Sequence, residues 1–203
     1  VKKISYFEWG NNVQTRCFVE SFELDMTIIS AGEINSKNIE NLEKSDEVYS
    51  PLFFYQSEAI NDAKNILEVP ASRVIIQMPT GGGKTKVAME IIIDFFNQHP
   101  NSTVVWVARS SELLEQAINE FKKNWKFRGK TKISINRFWD KYDLEEETSG
   151  SRLVVAGLDK LINFFKKNNQ LKADFIIFDE AHHASAEKYS ETIFNLSSEK
   201  TRL

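Results

Sequence analysis

The sequence predicts an α/β domain built on a parallel sheet with helices on both faces, and three observations carry that expectation. From Tyr55 onward, short β-branched runs alternate with amphipathic stretches. The runs are apolar throughout instead of alternating, the pattern of strands covered on both faces. One of them, Val74 to Met78, leads through a glycine-rich turn directly into an amphipathic helix. With 203 residues, 41% hydrophobic and 27% charged, the chain is long enough for one such domain with an appendage.

Residues 1 to 50 form the expected appendage, with period-2 alternation at Cys17 and Val19 and again at Phe22, Leu24, Met26 and Ile28. That pattern reads as one or two half-buried strands, serving either as a substrate-recognition accessory or as a cap on the main domain. Residues 35 to 50 are polar and mostly acidic (Glu40, Glu43, Asp46, Glu47) and precede Pro51, so they read as a linker and the main domain as 51–203. Within it, strands are expected at Arg73 to Met78, Thr103 to Ala108, Lys132 to Ile135, Leu153 to Ala156 and Asp174 to Phe178. Helices are expected at Lys84 to Gln98, Glu112 to Lys123, Leu158 to Lys167 and Ala186 to Leu196. Lys200 to Leu203 reads as a further strand beginning, and with Val1 in first place the sequence reads as a piece of a longer chain.

The formal net charge of −3 supplies no global basic field, so a nucleic-acid partner has to be argued from local features. A lone cysteine, Cys17, forms no intramolecular disulfide and reads as a small buried hydrophobe in a reducing, cytoplasmic setting. The apolar run Ala88 to Phe96 is interrupted by Glu90 and Asp94 and is far shorter than the roughly 20 residues of a membrane-spanning helix, so no membrane partner is expected.

After the run Val74 to Met78 come Pro79, Thr80, Gly81, Gly82, Gly83, Lys84 and Thr85, then Val87, Ala88, Ile91, Ile92 and Phe95 at helical spacing. Strand, glycine loop and helix are the context a phosphate-binding loop requires. Glycines let successive N–H groups face an anion, and the helix N-terminus adds its positive dipole end. Lys84 is then expected to reach the β and γ phosphates of ATP and the Thr85 hydroxyl to ligate Mg2+. The alternative is a glycine-rich turn without a ligand. Proline at position 79 stands where the general loop pattern begins with glycine.

The run Asp174 to Phe178 ends in Asp179, Glu180, Ala181, His182 and His183. Acids at the carboxyl end of a parallel strand sit where such sheets bind ligands. Asp179 is expected to hold Mg2+ through water, and Glu180 to orient and deprotonate the attacking water. His182 and His183 also suit a metal site, but no further His or Cys lies at zinc-ligand spacing.

Taken in order, these motifs resemble those of the first RecA-like domain of superfamily-2 DEAD/DEAH-type helicases, over residues 52 to 203. The proline-threonine-glycine entry of the loop is similar to theirs. The resemblance implies that Gln56, in the run Leu52 to Ile60, reads the adenine edge, with an aromatic of that run near the base. A helix start with core aromatics is the alternative. It further implies that His182 couples the ATP and nucleic-acid sites. Arg109, Ser110 and Ser111, at the start of the run continuing through Gln116, would touch the nucleic-acid backbone, the serines serving otherwise as helix caps. Gly157 occupies a further backbone-contacting place, although the family often carries threonine where this chain has Ala156 or Gly157.

A basic stretch holding Lys122, Lys123, Trp125, Lys126, Arg128, Lys130, Lys132, Arg137, Trp139 and Lys141 suits either phosphate attraction with aromatic stacking or a solvated surface. The paired histidines and the Glu112 to Gln116 run are most similar to restriction-type and repair-type motors, including type I and type III restriction enzyme translocase subunits. The implied function is ATP-driven movement on nucleic acid, DNA above RNA, within a restriction, defence or repair complex. The implied partner is a second RecA-like domain of the same polypeptide, beyond a serine/threonine-alanine-threonine motif that would follow Leu203. The alternative is a nucleotide-dependent switch that unwinds nothing. Neither a guanine-reading motif nor a transporter signature is present.

Overall fold

In the computed structural model the chain divides into two compact units, Val1–Lys37 and Asn38–Leu203, and the structure describes residues 39–42, 51–144, 150–179 and 186–203. All of these belong to the second unit. The strands expected between Cys17 and Ile28 lie outside the described residues.

Chain order is β1 (Ile39–Leu42), α1 (Phe54–Leu67), α2 (Lys84–Gln98), β2 (Thr103–Ala108), α3 (Ser111–Arg128), β3 (Ile133–Phe138), β4 (Ser151–Gly157), α4 (Leu158–Lys166), β5 (Phe175–Phe178) and α5 (Ala186–Leu196). The strands form one sheet in the order β1-β3-β4-β2-β5. β3, β4, β2 and β5 run parallel, while β1 pairs antiparallel on the edge, Ile39 opposite Asn136. Strand and helix alternation dictates this arrangement, because a parallel neighbour needs a crossover and the crossover covers a face.

Residues of β2 alternate between the two faces. Val104, Trp106 and Ala108 join Leu153, Val155, Ile133, Ile135 and Phe175 beneath α1, α2 and α3. Val105 and Val107 join Val154, Ala156, Phe138 and Ile176 beneath Leu161 and Ile162 of α4 and Leu196 of α5. Both layers exclude water, which is why these strands read as continuously apolar.

The structure departs from the sequence expectations in four places. A strand, Ile39–Leu42, lies inside the stretch read as linker; it sits at the edge of the sheet and pairs with β3. A helix, Phe54–Leu67, covers the glutamine-bearing run, with Gln56, Ile60, Ala63 and Leu67 buried at helical spacing. Residues 73–78, expected as a strand, are not one: Val74 N–H donates to the Leu203 carbonyl at 2.8 Å and Leu203 N–H to Ser72 at 3.1 Å, and no ladder continues beyond Val74 among the described residues. Leu203 is itself the end of a short seam, since Arg202 bridges to Phe175 in parallel and its carbonyl accepts from Ile176 at 2.9 Å. Finally, aromatic stacking from the basic stretch is ruled out for its tryptophans. Trp125 is 0% exposed and Trp139 4%, and Trp125 packs on Phe96 and Phe121. Arg137 is equally buried, with a two-pronged pairing to Glu115 at 2.8 and 3.2 Å. Core packing, not nucleic-acid contact, explains these three residues.

Candidate functional site

Five segments converge at the carboxyl ends of the strands. In order along that rim they are the turn after β3, Gly157 after β4, Arg109 to Ser111 after β2, Asp179 after β5, and the glycine loop that enters α2. The 201–203 seam lies between β5 and residues 72–74.

The loop is shaped by its glycines. Gly81 and Gly83 have φ of 78° and 82°, the left-handed region that side chains rarely adopt. A Cβ on Gly82 would stand 3.0 Å from the Pro79 carbonyl, and one on Gly83 would stand 2.4 Å from Gln56 Nε2. Gly83 is the N-cap of α2, and no side chain caps that end. The first N–H groups of α2 and their dipole are therefore available to an anion. Such a cradle fits a polyphosphate. Lys84 at present folds back on the loop, donating to the Met78 and Pro79 carbonyls at 3.2 and 3.5 Å. Thr80 and Gly81 are exposed, and Thr85 is half-buried at the start of α2.

Gln56 is brought to this loop by α1 and is 4% exposed. Its Oε1 accepts from Phe53 N–H at 3.1 Å and its Nε2 donates to the Gly82 carbonyl at 3.0 Å. Both ends of the carboxamide are thus held by the chain itself, so reading an adenine edge requires exchanging one of these bonds. No local pattern signals this tie to the loop, which joins positions 26 residues apart. Phe53 and Tyr55 stack with ring centres 5.7 Å apart, and both are solvent-exposed. Lys86 Nζ donates to the Pro51 carbonyl at 3.1 Å, a second tie between the loop helix and the segment before α1.

Asp179 N–H donates to the Val107 carbonyl at 2.9 Å, which fixes the end of β5 against β2. The preceding Phe178 packs on Tyr189 of α5 at 4.0 Å, and burial pushes the Tyr189 phenol above its ordinary pKa. Glu180, His182 and His183 lie outside the described residues. Among the described residues no group of three or more His, Cys, Asp and Glu side chains stands ready to hold a metal, and no helix is long and apolar enough to cross a membrane.

Ser110 is the N-cap of α3, its Oγ accepting from Leu113 N–H at 3.3 Å. Arg109 and Ser111 are exposed beside it. Gly157 is the last residue of β4. It is buried as the N-cap of α4, and the Trp139 Cβ lies 3.2 Å from where a Gly157 Cβ would be. Trp139 is set there by a turn in which Tyr142 N–H donates to the Trp139 carbonyl at 2.8 Å and Lys160 Nζ to the Asp140 carbonyl at 2.9 Å. Lys160 also pairs with Asp143 at 2.8 Å, and its hydrogen bond, with its charge, holds that carboxyl below the usual range.

Comparisons with known proteins bear on the family and the fold. A Saccharomyces cerevisiae protein named as an ATP-dependent helicase, IRC3, is 28% identical over 156 residues, which is 73% of this chain and 22% of that protein. Among solved structures, a nuclease-deletion mutant of the type ISP restriction-modification enzyme LlaGI, in complex with a DNA substrate mimic, shares 18% identity with a TM-score of 0.56, covering 75% of this chain and 17% of that one. The UvsW helicase from bacteriophage T4 shares 15% identity with a TM-score of 0.51, covering 96% of this chain and 70% of that one. The chain thus spans about a fifth of the length of the yeast relative. Residues 50–203 match the family described as type III restriction enzyme, res subunit, and the chain belongs to that family.

Proposed function

We propose that this chain is the ATP-binding motor domain of a helicase or translocase that couples ATP hydrolysis to movement on nucleic acid, DNA in preference to RNA. The observation that carries the reading is the cradle formed by Gly81, Gly82 and Gly83 at the start of α2, facing the same rim as Asp179. Gly81, Gly82, Gly83 and Thr80 would line the phosphates, Lys84 would neutralise their charge, and Thr85 with Asp179 would hold Mg2+. The bound metal supplies charge neutralisation at the transferring phosphoryl group. Glu180 would accept the proton of the attacking water. His182, Arg109, Ser110 and Ser111 would link that event to the nucleic-acid backbone. The partners in this reading are a second RecA-like domain of the same polypeptide and a restriction, defence or repair assembly in the cytoplasm.

The testing measurement is ATPase rate with and without single-stranded DNA, duplex DNA or RNA. Stimulation by DNA is expected; tight nucleotide binding with no stimulation by any of them would leave a switch and no motor. In the same assay Glu180→Gln should retain nucleotide affinity and lose at least about a hundredfold in turnover, the usual scale of a general base. Full turnover in that variant would remove Glu180 from the chemistry.

Gln56→Ala tests adenine reading separately. One lost hydrogen bond to the base, worth about 1 to 1.5 kcal/mol, should lower the ATP-over-GTP affinity ratio about tenfold. Equal losses for both nucleotides would leave Gln56 only its tie to Gly82.

A further inference from the structure

At the opposite end of the domain from the glycine loop, α2 carries a polar stripe on one face, Glu90, Asp94 and Asn97, at spacings of four and three residues. Its partners come from two other helices. Arg128, the last residue of α3, reaches Glu90 with one guanidinium nitrogen and Asp94 with another, the latter at 2.6 Å. Lys64 of α1 meets the other oxygen of Asp94 at 2.7 Å. Asn97 completes the join, donating to the Arg128 carbonyl at 3.0 Å and accepting from Lys130 N–H at 3.0 Å. Between those two residues the chain passes over Trp125 so closely that a Cβ on Gly129 would lie 2.3 Å from the indole.

The Glu90 side chain is 0% exposed and Asp94 15%. Buried ion pairs commonly contribute no more to stability than well-packed apolar groups of similar volume. Stability therefore does not explain a charged stripe on the inner face of α2. What charges add over leucines is direction: forked, two-partner geometry allows one rotational and axial setting, whereas apolar side chains tolerate sliding.

The three helices joined here are those that begin at the candidate site. α1 begins next to Gln56, α2 at Lys84 and Thr85, and α3 at Ser111 beside Arg109. We propose that the Lys64–Asp94–Arg128–Glu90 cluster is a positioning device that makes α2 and α3 move as one body, so that nucleotide at the glycine loop alters nucleic-acid affinity at Arg109 to Ser111. Arg128 is a positioning residue in this scheme. α3 has 18 residues and is about 27 Å long, so Arg128 stands a helix length away from Ser111. The inference rests on the motor reading above.

The experiment uses the 203-residue chain, a fluorescent ADP derivative with Mg2+, and a labelled single-stranded deoxyoligonucleotide. Each affinity is measured alone and with the other ligand saturating. In the wild type, nucleotide should change oligonucleotide affinity by at least about fivefold, and the reverse factor must be equal by linkage. In Arg128→Met that factor should fall to within about twofold of unity, while each ligand alone binds within about threefold of wild type. Arg128→Lys, which keeps the charge and loses the fork, should restore part of the factor. Lys64→Met removes an outer member of the cluster with a half-exposed side chain and should lower the factor less than Arg128→Met; it carries the test if Arg128→Met does not fold. Unchanged coupling in the folded variants overturns this inference alone. Failure of the wild type to bind nucleotide overturns the motor reading, and this inference with it.

Discussion

Lys84→Ala is expected to raise the dissociation constant for Mg-ATP by at least about a hundredfold while leaving the fold intact. The ammonium is the one cation in the run from Pro79 to Thr85, and a hydrogen bond from a charged donor contributes about 1.5 to 3 kcal/mol, with each 1.4 kcal/mol worth tenfold. Two phosphate oxygens within its reach bring the sum to the upper end of that range or beyond. Lys84 meets the Met78 and Pro79 carbonyls, is exposed, and packs against nothing in the core. Its removal should therefore shift the melting temperature by no more than about 2 °C. Titration with a fluorescent nucleotide beside a thermal melt checks both halves. Unchanged affinity would mean that the loop is a turn and not a phosphate cradle, whereas lost affinity with a collapsed melt would assign Lys84 a structural role that its contacts do not suggest.

The loop, the strand ending at Asp179 and the helix starting at Lys84 were legible because each rests on local chemistry. Glycines were needed where φ is positive, and apolar runs where both faces are covered. α2 and β2 fall at the residues their patterns indicate, Lys84–Gln98 and Thr103–Ala108. What was not legible depends on distant partners. Residues 73–78 carry the apolar run Val74 to Ile76, yet Ile75 is 95% exposed, since a strand requires a backbone partner and the apolar pattern reports only the face. Trp125 and Arg137 looked like surface chemistry among lysines, but α3 turns Trp125 inward and Glu115 neutralises Arg137. Gln56 looked like a ligand reader, and its tie to Gly82 became visible only once α1 had been laid against the loop.

The largest expected effect on stability is at Trp106, in the middle of β2. Its side chain is 1% exposed and faces the layer shared with α1, α2 and α3. β2 lies between β4 and β5, so this ring fills the centre of the domain. Trp106→Ala should cost about 3 to 5 kcal/mol, the usual range for deleting a large aromatic from a core. A total stability of about 5 to 15 kcal/mol leaves little after that loss. For a chain of this size the melting temperature should fall by roughly 6 to 20 °C. Trp106→Phe discriminates between volume and polarity. The indole Nε1 is buried without a hydrogen-bond partner, and phenylalanine removes that orphaned donor, whose burial costs about 1 to 3 kcal/mol. The donor's removal offsets part of the lost volume, so Trp106→Phe should cost less than about 1.5 kcal/mol despite leaving a gap. Denaturant unfolding of both variants measures the difference. Equal losses for Ala and Phe would mean that the indole nitrogen is satisfied in solution. Function is tied to the same residue, because Val107 holds Asp179 N–H at 2.9 Å and β2 delivers Arg109 to the rim. Trp106→Ala should therefore weaken nucleotide binding well below its melting temperature, while Trp106→Phe should not.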